Sequence, residues 1–157
     1  MAKYRKKVRI LNAYFMKPPG IANTSKMRGS RRAGISWERK VGEHLDKLFK
    51  ESSWGDVWVG YECPKKTSYC SPDFIVIDVI LGLITVVECK LTHTEDAYYQ
   101  LNNLYIPVIK KLFPGFEVRG VEVCKNFDRS TRYPVTPNIV SDFKGDWMGG
   151  CNVMVMR

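Results

Sequence analysis

Apolar and polar positions along this chain fall into runs of two different periods. Phe74 to Ile77 and Leu83 to Val87 are short and almost continuously apolar, the pattern of strands buried on both faces. Leu81-Gly82 between them predicts a bend, because glycine reaches backbone angles that other residues avoid, and the pair reads as a β-hairpin. Ser36 to Lys50 changes to helical spacing, with Trp37, Val41, Leu45, Leu48 and Phe49 on one stripe and Ser36 placed as the N-cap. A second helix is expected where Thr92 and Glu95 have capping-box spacing, its stripe formed by Ala97, Leu101, Leu104, Tyr105, Val108 and Leu112. Pro107 lacks an amide donor and should kink or end that helix. Trp54 to Glu62 reads as one strand leading into a loop from Cys63 to Ser71. Val118 to Val123 and, after a Gly149-Gly150 turn, Asn152 to Met156 would complete the sheet.

Against that pattern three charges stand out. Asp73 follows Pro72 at the mouth of the first strand, and Glu88-Cys89-Lys90 closes the second. A buried, unpaired charge is costly to desolvate, so such residues need a shared reason. Alternation puts Glu88 and Lys90 on one face of the strand and Cys89 on the other, and the hairpin brings Asp73 beside them. Two carboxylates and a lysine at one point suit hydrolysis of a phosphodiester. Hard oxygen ligands hold Mg²⁺ or Mn²⁺, with the Cys89 carbonyl as an extra ligand, and the lysine orients water or offsets developing charge. The bland alternative is an ion pair between Lys90 and an acid on a solvated sheet face.

The first helix offers a further acid. At about 100° per residue Glu38 falls between Leu45 and Phe49, inside the apolar stripe, whereas Glu43 lies opposite among Arg39, Lys40, Asp46 and Lys47. Glu38 is the anomaly and Glu43 an ordinary surface charge.

Pro72-Asp73, then Glu88-Cys89-Lys90, after a glutamate-bearing helix, resembles the PD-(D/E)xK nuclease superfamily with its restriction-endonuclease-like fold. Gly34-Ile35-Ser36-Trp37-Glu38-Arg39 is similar to the Gly-x-x-x-Glu-Arg opening of archaeal-type Holliday junction resolvases. The resemblance covers roughly residues 34 to 124. It implies an α/β domain, a central mixed sheet flanked by helices. Glu38, Asp73 and Glu88 would be metal ligands, and Lys90 would assist the attacking water. Gln100 becomes a secondary site candidate, since RecB-like members place a glutamine on the helix after the motif, although Tyr105 comes one residue later than their Gln-x-x-x-Tyr spacing. The implied enzyme is a small Mg²⁺- or Mn²⁺-dependent DNA endonuclease, selective for junctions or branches and acting as a homodimer. A RecB-like exonuclease and a repair or restriction-type nuclease are the alternatives within the superfamily, and a non-catalytic nucleic-acid-binding protein is the alternative outside it. A compact nuclease of this kind would suit a phage.

Charge sharpens the expected partner. The net charge is +9, yet residues 1–37 carry ten Lys or Arg and no acid, leaving fifteen basic and sixteen acidic residues elsewhere. Residues 1–33 therefore read as a basic, partly flexible arm before one domain at 34–157. Lys3, Arg5, Lys6, Lys7, Arg9, Lys26, Arg28, Arg31 and Arg32 in the arm, with Lys65 and Lys66 near the motif, are candidate phosphate contacts. No apolar run approaches the ~20 residues of a membrane-spanning helix, and no signal-peptide core follows the N-terminus, so a cytoplasmic location without a membrane partner is expected, the host's cytoplasm in the case of a phage. Cys63, Cys70, Cys89, Cys124 and Cys151 form no Cys-x-x-Cys unit. Reduced thiols are the expectation, although Cys63 and Cys70 could share a metal with His44 or His93.

Overall fold

The computed structural model describes residues 6–18, 29–93, 95–126, 138–140 and 153–156. The chain is mixed α/β and forms two sheets. Helix α1 (Gly29–Leu48) follows strand β1 (Asn12–Phe15). Strands β2 (Ser53–Gly55), β3 (Val59–Cys63), β4 (Lys66–Cys70), β5 (Phe74–Asp78) and β6 (Leu83–Thr92) come next. Then α2 (Glu95–Gln100), a π-helical turn (Leu101–Tyr105) and α3 (Ile106–Leu112) lead to β7 (Glu117–Asn126), β8 (Asn138–Val140) and β9 (Val153–Met156). The large sheet has the order β2-β5-β6-β7-β9-β8, antiparallel through β2, β5 and β6 and parallel from β6 onward; β1, β3 and β4 form a small antiparallel sheet.

Strand alternation divides the core between the two faces of the large sheet. On one face Trp37, Val41 and Leu45 of α1 pack on Val76, Val87, Val121 and Val123. Trp37 Nε1–H also donates to the Val123 carbonyl (3.2 Å), which anchors α1 across the sheet. Gly42 lets the helix come close: a Cβ there would lie 2.9 Å from the Phe74 ring. On the other face Leu101, Leu104, Val108 and Ile109 pack with Ile75, Ile84, Val86, and with Val59 and Tyr61 of the small sheet.

Several elements differ from the sequence expectation. Helix α1 begins at Gly29, so Ser36 is an interior residue and not its N-cap; Arg31, Arg32 and Ala33 favour helix, and no proline interrupts them. The stretch Trp54 to Glu62 is two strands in different sheets, because Asp56 takes a left-handed backbone (φ 51°) and turns the chain. The expected loop from Cys63 to Ser71 contains β4, folded back on β3 by the turn at Pro64-Lys65. Thr92 ends β6 and does not cap a helix.

Within the expected arm, residues 6–18 meet the domain, with β1 paired to β3. Val8 and Ile10 pack on the core while Lys6, Lys7 and Arg9 between and beside them stay exposed. Pro107 accounts for one tether. Lacking an amide hydrogen, it cannot bond the carbonyl one turn back, that of Asn103, and this oxygen accepts the Val8 amide (2.8 Å). The helix continues past Pro107 because the π turn, closed by Ile106 N–H to the Leu101 carbonyl, places the proline at the start of α3. Lys3, Arg5, Lys26 and Arg28, and the Gly149-Gly150 turn, lie outside the described residues, as do the side chains of Arg31 and Arg32. No helix among the described residues is long and apolar enough to cross a membrane.

Candidate active site

The site grows from the register of one hairpin. Phe74 pairs with Val87, so the last rung of the β5–β6 ladder leaves Asp73 facing Glu88 just beyond it. Past that rung the Cys89 amide has no strand partner, and the Asp73 carboxylate takes its place, accepting Cys89 N–H at 2.7 Å through Oδ2. In an extended strand the N–H and C=O of one residue point the same way, so the Cys89 carbonyl is aimed toward Asp73 too. Glu88 and Lys90 share a face, and Cys89 turns to the α1 side with Leu91.

Glu88 is only 6% exposed, and its Oε2 has no hydrogen-bond partner. Its pKa lies well above the ordinary glutamate value, raised first by burial and then by the Asp73 charge. The contact between the two side chains raises Glu88 further and works in the opposite direction on Asp73. Asp73 is raised by burial, and this is offset by the bonds from Glu88 and Cys89 and by the Lys90 charge. Two neighbouring carboxylates disfavour each other's ionisation, and a bound cation would relieve that repulsion. Lys90 lowers both acids through space but makes no close ion pair with either among the described residues, which is unlike an ordinary surface salt bridge.

Glu38 projects from α1 toward the same region. Burial, then Asp73, then Asp56 push its carboxyl up to about 7. Glu43 is exposed, as the helical stripe predicted. Asp56 is an acid the sequence reading passed over. Its signal was a Gly-Asp turn dipeptide inside an apolar run, and its charge acts on both Glu38 and Asp73.

The donor set suits a hard divalent cation. Asp73, Glu88 with its unpartnered oxygen, and the Cys89 carbonyl are oxygen donors at one point, and Mg²⁺ commonly takes one or two carboxylates and completes its shell with water or phosphate. No three His, Cys, Asp or Glu side chains among the described residues form a ready-made ligand cluster. Glu38 thus stands as a charged neighbour of the pair in this structure, not as a third ligand already in place.

Other expected site residues fall elsewhere. Gln100 is half-buried at the end of α2, and no hydrogen bond among the described residues joins it to the carboxylates. Lys65 and Lys66 are exposed at the β3–β4 turn. The opposite end of β4 is the one near the site, since the Glu88 charge acts on Cys70; four residues of extended strand, about 13 Å, separate Lys66 from it. His93, expected in a helical turn, is buried between β6 and α2, its Nδ1 paired with Glu122 Oε2. Glu122 is the register partner of Glu88 on β7, a second acid within an apolar run that the sequence reading did not single out. Cys63, Cys70, Cys89 and Cys124 are free thiols.

Comparison with known proteins returned no match to a family model, a curated protein or a solved structure.

Proposed function

We propose that this chain is a metal-dependent nuclease that hydrolyses phosphodiester bonds in DNA, with Asp73, Glu88 and Lys90 as its reacting centre. The observation that carries this reading is the Asp73–Glu88 pair, in which Glu88 is buried and one of its oxygens has no partner. Most buried carboxylates kept only for structure have their oxygens satisfied by donors, because an unmatched one costs stability. Asp73 and Glu88, with the Cys89 carbonyl, would hold Mg²⁺ or Mn²⁺. The bound ion supplies Lewis acidity to a phosphoryl oxygen and a more acidic water.

The protein groups around it have separable tasks. The Cys89 amide fixes the rotamer of Asp73, and the β6 backbone fixes Glu88. Lys90, on the same face and held away from a close ion pair, is available to orient water or to meet charge developing on the phosphate. Exposed Lys6, Lys7 and Arg9 offer phosphate contacts without base preference. The mixed sheet with α1 on one face and α2 to α3 on the other is compatible with a restriction-endonuclease-like core, and structure-selective cleavage by a homodimer is the favoured form of the activity.

The test is incubation of linear duplex, single-stranded, flapped and four-way-junction DNA with Mg²⁺, Mn²⁺ or EDTA, comparing the parent with Glu88→Ala and Lys90→Ala. The expected result is metal-dependent cutting that falls at least about a hundredfold in either variant, with DNA binding retained. Binding of every substrate without metal-dependent cutting would replace this reading with a non-catalytic nucleic-acid-binding protein.

A further inference from the structure

Beside the carboxylates lies a cavity of about 420 Å³ that the proposed hydrolysis does not use. Its walls are Phe15, Trp54, Trp58 and Phe113, its floor is Ile75 and Ile77, and Asp56 is at its rim. Alternation along β5 puts Ile75 and Ile77 on one face of the sheet, and Asp73 stands immediately before that strand, so the lining begins two residues, about 7 Å of extended chain, from Asp73. Asp56 joins the two places, since it lines the cavity and its charge acts on Glu38 and Asp73.

We propose that this cavity is a nucleobase subsite, which takes one unpaired base of the strand whose phosphate lies at the metal site that Asp73 and Glu88 would form. The proposal rests on the nuclease reading and adds a substrate class to it. Flat aromatic walls stack on any base, because every base offers a π-face. Trp54 remains 46% exposed and Phe15 58%, so two large aromatic side chains of the lining are in contact with water that a base could displace. Phe113 braces Phe15 edge-to-face, with ring centroids 5.9 Å apart, so that wall is built before any ligand arrives. Continuity with the phosphate site selects the occupant: a group that reaches an aromatic slot while tethered to a phosphodiester one strand step away is a base. In a continuous duplex both faces of each base are covered by its neighbours. The subsite therefore favours flaps, frayed ends, branch points and single strands.

The test is a metal-free titration in EDTA of an oligonucleotide carrying one 2-aminopurine, as a single strand and within a continuous duplex. Parent, Trp54→Ala, Trp54→Phe, Phe15→Ala and the remote surface variant Ile80→Ser are compared. The parent should change 2-aminopurine emission with the single strand and not with the duplex. Trp54→Ala should weaken single-strand binding about tenfold or more, Phe15→Ala should weaken it in the same direction, and Trp54→Phe and Ile80→Ser should resemble the parent. Equal emission changes and equal affinities in the parent, Trp54→Ala and Phe15→Ala would overturn the proposal. Both replaced side chains are about half in water, and thermal melting checks each variant; if Trp54→Ala fails to fold, Phe15→Ala decides the matter alone. Because no metal or turnover is involved, a parent that stacks the base yet cuts nothing removes the nuclease reading and leaves the subsite. Cutting that persists with unaltered binding in Trp54→Ala removes the subsite and leaves the nuclease.

Discussion

The two ends of the β5–β6 hairpin break the rule of burial in opposite directions. At one end Glu88 is buried to 6% exposure against Asp73; at the other, Val79, Ile80 and Leu81 are 77%, 96% and 70% exposed. Both ends are ordered. The acids are held by the Cys89 amide, and the tip by Leu81 N–H to Asp78 Oδ1 (2.9 Å), a left-handed Gly82 (φ 64°) and Glu117 N–H to the Gly82 carbonyl (2.8 Å). The difference lies in what surrounds them. Around the acids are a lysine and two more carboxylates whose charges act on them, with an aromatic cavity further along β5, so the cost of burying charge is concentrated where chemistry is available. Among the described residues the tip adjoins a hollow lined by Phe49, Ser52, Val76 and Ile77 and is otherwise exposed.

Between the two ends the strand interior should carry the stability. Ile84 is fully buried midway along the hairpin, so Ile84→Ala should cost about 2–5 kcal/mol, measured by denaturant unfolding. A smaller cost would mean that the interior collapses around the gap, and the contrast between ends and middle would weaken.

The acid end should show a smaller, pH-dependent effect with a definite sign. Glu38 is raised from its ordinary value of 4.5 to about 7, and Asp73 and Glu88 are raised as well. A raised carboxyl binds more protons in the folded protein than in the unfolded chain, so Glu38's contribution is fully present below pH 4.5 and is lost as pH rises through about 7, and Asp73 and Glu88 act in the same direction. Metal-free protein should melt a few degrees higher at pH 5 than at pH 8. Glu38→Gln and Glu88→Gln should flatten that dependence, and added Mg²⁺ should raise the melting temperature most at pH 8. A flat profile in the parent would place the carboxylates in water and remove the strain from this end of the hairpin.

Much of this hairpin was legible in the sequence because its signals are local. An acid inside an apolar strand is anomalous on its own terms, and the helical wheel separated Glu38 from Glu43 without tertiary information. What was hidden depends on distant partners. Strand β1 has four residues and little pattern, and its place is set by pairing with β3 and by the carbonyl that Pro107 leaves open at Asn103. The split between β2 and β3 hangs on the backbone angle of one residue, Asp56, which no periodicity records. His93 and Glu122 are 29 residues apart and become a pair only when β6 and β7 lie side by side. The exposed tip has a related cause: Val79 to Leu81 are apolar enough for a strand, but Gly82 turns the chain before they can join one.

The exposed tip supplies the smallest effect and the sharpest contrast. A side chain that is in water in the folded state and in water in the unfolded chain transfers almost no surface on folding, so its removal changes neither side of the equilibrium. Ile80→Ser, at 96% exposure, should therefore shift stability by no more than about 0.5 kcal/mol, and Val79→Ser and Leu81→Ser by little more. Dilute and concentrated samples separate the outcomes. A shift within that bound at every protein concentration leaves the tip as surface that folding does not use. A loss of stability that grows with protein concentration would mean that the tip is covered in solution by another copy, and the two ends of the hairpin would then differ in their partners, not in whether they have them.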